Sequence, residues 1–233
     1  CIMYLGGEPA IQPEFYDIVD LLVKHSPEKV GVKELTFSTN TYYGDAHRRK
    51  FEDAIQKVLD VGHTIFPRVS LDGIGDKQIY QRTNLKWENF EKNMLSFFNK
   101  FNMKTPGVTK VRANIALNIL NLIYCEEIVK YLDNMGYGDI EPHYNYIVKP
   151  EMFYMRHWGS RLKKAIDIIQ KQDFKKHKKY KDHILKMASS FTNLDPNLEH
   201  IEKTKKWILE YDEKNNLNFD KIFPENRYMF NEM

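Results

Sequence analysis

The strongest constraint in this sequence is a repeating unit. A short apolar run ends in glycine or small polar residues and leads into a segment whose apolar residues recur at helical spacing. Residues 2–5 run into Gly6-Gly7-Glu8-Pro9, after which Phe15, Ile18, Val19, Leu22 and Val23 share one helical face. Residues 34–38 end in Thr39-Asn40, and a helix through Phe51, Ile55, Val58 and Leu59 follows, closed near Gly62. Residues 66–71 end in Asp72-Gly73 before a helix carrying Trp87, Phe90, Met94, Phe97 and Phe98. Residues 110–117 end at Asn118, a helix over about 125–134 stops before Gly136, and a fifth strand is expected at about 144–148.

Strands that alternate with helices at this spacing predict an α/β fold of parallel strands. Right-handed crossovers would curl it into a (βα) barrel or part of one. In such folds ligands sit at the carboxyl ends of the strands, where Gly6 to Pro9, Thr39-Asn40, Ser70 to Gly73 and Asn118 all fall. After Pro150 the pattern changes to a short strand at 153–157, a basic helix, an Asn-Asp-Pro turn at 193–196 and a helix over about 201–211. The expected organisation is a partial barrel over residues 1–149 and an α-rich extension over 150–233 packed on it.

Composition removes several classes. A mean hydropathy of −0.58 and the lack of an apolar run near the roughly 18 residues that span a bilayer argue against a membrane span. Aromatic content of 13% argues against disorder. Cys1 and Cys125 are the only cysteines, so neither a disulfide framework nor a Cys-x-x-Cys zinc pair is available, and a reducing cytoplasm is the expected setting. The net charge of +3 hides a local excess of +7 between Arg161 and Lys181. Leu162, Ala165, Ile166 and Ile169 recur at helical spacing within that stretch. It therefore reads first as the solvated face of an amphipathic helix, and only second as a surface for RNA or an acidic partner. The opening Cys-Ile-Met-Tyr-Leu reads as the middle of a buried strand, so an excerpt of a longer polypeptide is expected.

The strand-end clusters have a shared chemistry. Gly6 and Gly7 let a backbone approach a ligand, and Glu8 beside them adds a carboxylate that suits an ammonium. A plain strand-to-helix turn with Pro9 starting the helix explains the tetrapeptide equally well. Ser70 and Asp72 alternate on a strand and point to one side, as a diol such as ribose would require, although an Asp-Gly turn is a common alternative. Arg82, ten residues after Asp72, could clamp a carboxylate. Ammonium, carboxylate and ribose together are the polar groups of S-adenosylmethionine.

Tyr4-Leu5-Gly6-Gly7-Glu8-Pro9, Ser38-Thr39-Asn40, Ser70-Leu71-Asp72-Gly73 and Tyr80-x-Arg82 resemble the successive strand-end motifs of radical S-adenosylmethionine enzymes. Asp72-Gly73-Ile74-Gly75, Trp87-Glu88-Asn89-Phe90 with Asn93, and Phe223-Pro224-Glu225 are similar to members that carry a twitch domain. The resemblance implies a partial barrel of that family's kind. In it Gly6, Gly7 and Glu8 would hold the methionine amino group, Ser70 and Asp72 would meet the ribose or carboxylate, and Arg82 the carboxylate. Thr39 and Asn40 would lie in the same site, with Asn118 as a looser candidate for the adenosine pocket. It further implies a four-iron, four-sulfur cluster, a reductant for it, and a 5′-deoxyadenosyl radical that abstracts hydrogen from a peptide or small-molecule substrate. The family's Cys-x-x-x-Cys-x-x-Cys loop is not in this chain, so the cluster ligands and the first strand are expected upstream of Cys1 and the chain alone is not expected to be active. The alternative from another class is a cluster-less barrel scaffold that binds an acidic partner or RNA through its basic helix.

Overall fold

A computed structural model describes residues 1–4, 6–146 and 150–227, and among them it contains five strands and ten α-helices. In chain order these are β1 (Ile2–Tyr4), α1 (Pro13–Lys24), α2 (Pro27–Val30), β2 (Glu34–Thr39), α3 (Asp45–Asp60), β3 (Thr64–Ser70), α4 (Asp76–Gln81) and α5 (Trp87–Lys100). They continue as β4 (Arg112–Leu117), α6 (Cys125–Asn134), β5 (Glu141–Tyr146), α7 (Leu162–Lys171), α8 (Lys178–Ser189), α9 (Leu198–Asn215) and α10 (Phe219–Ile222). The strands form one parallel sheet in the order β1-β2-β3-β4-β5. Tyr4 lies opposite Phe37, Phe37 opposite Pro67, and Ser70 opposite Asn114. The order never reverses, so the sheet lacks the switch point of doubly wound folds.

Pro67 sits inside a central strand, where a missing N–H normally breaks the ladder. Ile65 donates its N–H to Gly107 O at 2.8 Å, so alternation also turns the Pro67 nitrogen towards β4. The registered β3–β4 pairing begins only at Arg68 opposite Arg112. The proline therefore falls where that ladder is already open.

The chain divides into two compact units. The first holds Cys1–Leu71, Asn84–Asn114 and Met135–Pro142, and the second holds Asp72–Thr83, Ile115–Asn134 and the residues from His143 on. The core of the first unit is aromatic. Phe15 of α1, Phe37 of β2, Phe51 of α3 and Phe97 of α5 are all fully buried. Phe37 meets Phe15 at 5.7 Å, Phe51 at 5.5 Å and Phe97 at 6.2 Å between ring centroids, each edge to face. Such pairs add about 0.5–1.5 kcal/mol each beyond the burial of their area. The helical spacing read from the sequence thus directs three helices onto one strand.

In the second unit α7 buries Leu162, Ala165 and Ile169, and α8 buries Ile184 and Ala188. The segment after Pro150, expected as an extension, packs on the residues just after β4: Ile119 N donates to Phe153 O at 3.3 Å, Gln172 Nε2 to Ile123 O at 2.6 Å, and Asn226 Nδ2 to Leu120 O at 2.8 Å.

Three expectations need correction. The strand at 153–157 does not form, because these residues belong to 3-10 turns, Glu151–Phe153 and Met155–Arg161. The second turn contains Gly159 at φ 49°, where a Cβ would lie 2.3 Å from Leu194 O, so the backbone is docked on another loop and is not paired in a sheet. The basic stretch 161–181 is not one helix. Gln172 turns extended, Asp173 Oδ1 accepts from Lys175 N at 2.9 Å, and buried Phe174 anchors the break between α7 and α8. The fifth strand begins at Glu141, three residues earlier than expected, and its expected last residues, 147 and 148, lie outside the described residues, as does Leu5. Among the described residues no helix is long and apolar enough to cross a membrane.

Candidate functional site

The predicted residues separate into two groups, one in each unit. In the first unit the chain leaves β1 through Gly6 and Gly7 at φ 96° and 63°, conformations that favour glycine. The turn delivers Glu8, 6% exposed, to the carboxyl end of β2. There Glu8 Oε1 accepts the Thr39 hydroxyl at 2.6 Å and Ala10 N–H at 3.3 Å, while Oε2 accepts Asn40 N–H at 2.6 Å. Thr39 Oγ1 also accepts Thr41 N–H at 3.0 Å, and Asn40 Oδ1 accepts Tyr42 N–H at 2.9 Å. Asn93 of α5 holds the same loop from below, donating to Thr41 O at 2.9 Å and Tyr43 O at 2.7 Å. Five predicted residues, Gly6, Gly7, Glu8, Thr39 and Asn40, therefore form one structure. Ser70 closes β3 in the same unit, opposite Asn114.

The second unit holds Asp72, Arg82 and Asn118. Asp72 Oδ2 accepts Arg82 Nε at 2.9 Å and pairs with Nη2 at 2.7 Å, and its Oδ1 accepts Ala116 N–H at 2.7 Å. The carboxylate that Arg82 meets is thus that of Asp72. Buried Gln78 accepts Asp72 N–H at 2.7 Å and Gly73 N–H at 3.0 Å through one oxygen, fixing the loop. Asn118 donates to Gln81 Oε1 at 2.9 Å and to Ala116 O at 2.8 Å, and accepts Leu120 N–H at 2.8 Å, so its side chain also shapes the turn after β4.

Asp72, Gln81 and Asn118 line a cavity of about 260 Å³ whose far wall is aromatic. Trp207 and Tyr211 stack at 4.6 Å and 17°, and Phe153 meets Trp207 edge to face at 4.9 Å. Burial pushes the hydroxyl of Tyr80, another lining residue, well above its ordinary range, and the Asp212 carboxylate adds to this. A flat apolar wall facing polar groups can take a planar ring with a hydrogen-bonding rim. Searches against protein-family models, curated proteins and solved structures return no match. The site stands on its own geometry.

Sequence reasoning missed Trp207 and Tyr211, although their i, i+4 spacing on α9 puts both on one face. The sequence also offers His143, Tyr144, Arg156 and His157 as candidates to line a substrate pocket, with ordinary packing of aromatic and His side chains as the commoner explanation. Of these, Tyr144 is buried against Tyr180 at 6.2 Å, as in ordinary packing. His157 instead stacks on His200 at 3.9 Å and 12°, with Glu151 beside both. No metal-ligand spacing in the sequence announces that group.

The two thiols have opposite settings. Cys1 is exposed, whereas Cys125 is fully buried, and burial, helped by the Asp72 carboxylate, pushes its thiol far up. The lysines of the basic stretch are partly engaged within the chain: Lys181 donates to Gln170 O and Gln172 O at 2.7 and 2.6 Å, and Lys176 pairs with Asp133 at 3.5 Å.

Proposed function

We propose that this chain is the S-adenosylmethionine-binding part of a radical S-adenosylmethionine enzyme of the twitch-domain type. Its parallel sheet would be part of a (βα) barrel, acting in the cytoplasm on a peptide or small-molecule substrate with a separate reductant. The observation that carries the reading is Glu8: a buried carboxylate delivered by two left-handed glycines and held by Thr39 and Asn40 at the end of the neighbouring parallel strand. Donors that orient a desolvated carboxylate make it a preorganised partner for an ammonium.

In this reading the Glu8 group takes the amino group of the cofactor; the cavity of the second unit, bordered by Asp72 and Asn118, by its own shape suits a sugar and a flat ring. With a cluster held from outside this chain, S-adenosylmethionine would supply the radical chemistry, and no residue of this chain is assigned a step in it. The residues of this chain do not fit the cluster itself. Three thiolates are needed, and the sequence has two cysteines, of which Cys125 is sealed in the core. The reading therefore requires cluster ligands from outside these 233 residues. What the chain does by itself is bind and orient, and its aromatic wall keeps water away from the bound group.

Calorimetry with S-adenosylmethionine and with adenosine, which lacks the ammonium, tests this. The wild type should bind the first, Glu8→Gln should weaken it by about tenfold or more, and adenosine binding should be untouched by the substitution. Equal affinity of wild type and Glu8→Gln for S-adenosylmethionine would overturn the reading.

A further inference from the structure

The group Glu151, His157 and His200 has no role in that reading. The Oε1 of Glu151 is 3.6 Å from His157 Nε2 and 3.7 Å from His200 Nε2, and the three ligand atoms lie within 4.8 Å of one another. A tetrahedral ion with bonds of about 2.0–2.1 Å separates its ligand atoms by about 3.3–3.4 Å. Both carboxylate-to-imidazole distances are within a few tenths of an ångström of that requirement, and the two imidazole nitrogens lie within 4.8 Å of each other.

The scaffold around the group is built. His157 sits in the 3-10 turn Met155–Arg161, and its carbonyl accepts Asn197 N–H at 2.8 Å. Asn197 caps α9, its Oδ1 accepting His200 N–H at 3.1 Å, so one asparagine ties the two histidine-bearing segments together. Gly159 makes the close approach possible, and Ser160 N–H completes it on Leu194 O at 2.9 Å.

One polar atom of the group is also left in need of a partner. Nε2 of His157, the atom that faces Glu151, is buried and makes no hydrogen bond. A buried nitrogen without a partner costs about 1–3 kcal/mol, so such an atom calls for an explanation. Glu151, 67% exposed on its side chain, closes the group from the solvent side, and the two rings, now 12° from parallel, turn out of their stack to bring both lone pairs to one ion.

We infer that Glu151, His157 and His200 bind a single divalent transition ion of the zinc class, with water completing the coordination. Two imidazoles and one carboxylate are a donor set that such ions take and that magnesium and calcium, which prefer oxygen, do not. The ion clamps the 3-10 turn to the first turn of α9. It is therefore expected to raise the melting temperature as well as to bind.

The probe is zinc chloride titrated into metal-free protein by calorimetry, with magnesium chloride as the comparison and cobalt(II) as the spectroscopic reporter. The expected result is one zinc per chain, a rise in melting temperature with zinc alone, and the intense visible bands of four-coordinate cobalt. His157→Ala and His200→Ala should each weaken zinc by on the order of 100-fold, at least the loss that outer-shell partners cause. Glu151→Gln, at an exposed position that leaves the fold intact, should weaken it by about tenfold, and His47→Ala at an exposed helix position should change nothing. No zinc uptake by the wild type, or a site whose affinity and cobalt spectrum survive both Glu151→Gln and His200→Ala, would overturn the assignment.

Discussion

Replacing Glu8 by alanine removes the acceptor of the Thr39 hydroxyl and the Asn40 N–H, both at 2.6 Å, and of the more distant Ala10 N–H at 3.3 Å. A hydrogen bond to a charged group contributes about 1.5–3 kcal/mol net. Counting the two short bonds and neglecting the long one gives about 3–6 kcal/mol. Asn40 is half-buried, and its N–H can turn to water, which puts the expected loss near the lower end. For a chain of this length 1 kcal/mol shifts the melting temperature by about 2–4 °C, so Glu8→Ala should melt about 6–12 °C below wild type. Glu8→Gln separates the charge from the hydrogen bonds. Its amide oxygen can serve Asn40 N–H while its NH₂ donates to Thr39 Oγ1, at the expense of the weak Ala10 bond and of the acceptor for the Thr39 hydroxyl hydrogen, so about 1–2 kcal/mol is lost. A double-mutant cycle with Thr39→Val should show coupling of about 1 kcal/mol or more. Scanning calorimetry of the five proteins, wild type, Glu8→Ala, Glu8→Gln, Thr39→Val and the double mutant Glu8→Ala with Thr39→Val, settles the point. If Glu8→Ala melts within about 1 °C of wild type, the carboxylate is not held as described and the argument for a preorganised anion at this strand end fails.

Three further outcomes follow from other sites. Burial would raise the Glu141 pKa, but hydrogen bonds from Lys110 at 2.6 Å and Arg112 at 2.7 Å outweigh it and hold the group at about 2 against an ordinary 4.5. The folded form is thus the stronger acid. Its contribution is present above pH 4.5 and lost as pH falls towards 2, and after discounting for solvent screening it amounts to about 1–2 kcal/mol. Urea melts should show the gap between wild type and Glu141→Gln closing over that range, and a gap independent of pH counts against the pairing. Gly159→Ala places a methyl group 2.3 Å from Leu194 O at a φ of 49°, so a loss of about 2–4 kcal/mol is expected, and an unchanged denaturation midpoint would refute the docked turn. With a thiol-reactive dye, Cys1 should titrate at once and Cys125 only at the rate of unfolding. Two fast thiols would show that Cys125 is accessible.

The parts of the fold legible in the sequence were those in which local periodicity and burial point the same way. Phe15, Val19 and Leu22 on α1, and Phe90, Met94, Phe97 and Phe98 on α5, are buried as their spacing predicts. The 153–157 stretch misled because aromatic, β-favouring residues form a strand only when a neighbour pairs with them. Here Gly159 and the Leu194 carbonyl dock the chain elsewhere. The break at Asp173 was hidden because lysines on both sides continue a helical composition, while the side chain that ends the helix acts through one backbone hydrogen bond.

The candidate sites divide along the same line. Glu8, Thr39 and Asn40 were legible because parallel strands bring their carboxyl ends together whatever the distant sequence does, so motif order alone predicts their meeting. Asp72 and Arg82 were legible as a pair of charges, but whether each seeks a ligand or the other is decided by a separation of 2.7 Å that spacing along the chain does not encode. Glu151, His157 and His200 were not legible as a group at all. His157 and His200 are 43 positions apart and meet only because Asn197 caps one helix while gripping the turn that carries the other histidine. This separation gives the two functional readings independent tests. Glu8→Gln addresses a site built by sheet order, His200→Ala one built by a single capped loop, and Gly159→Ala, which undoes that loop, should abolish zinc binding while leaving the Glu8 group and its ammonium chemistry in place.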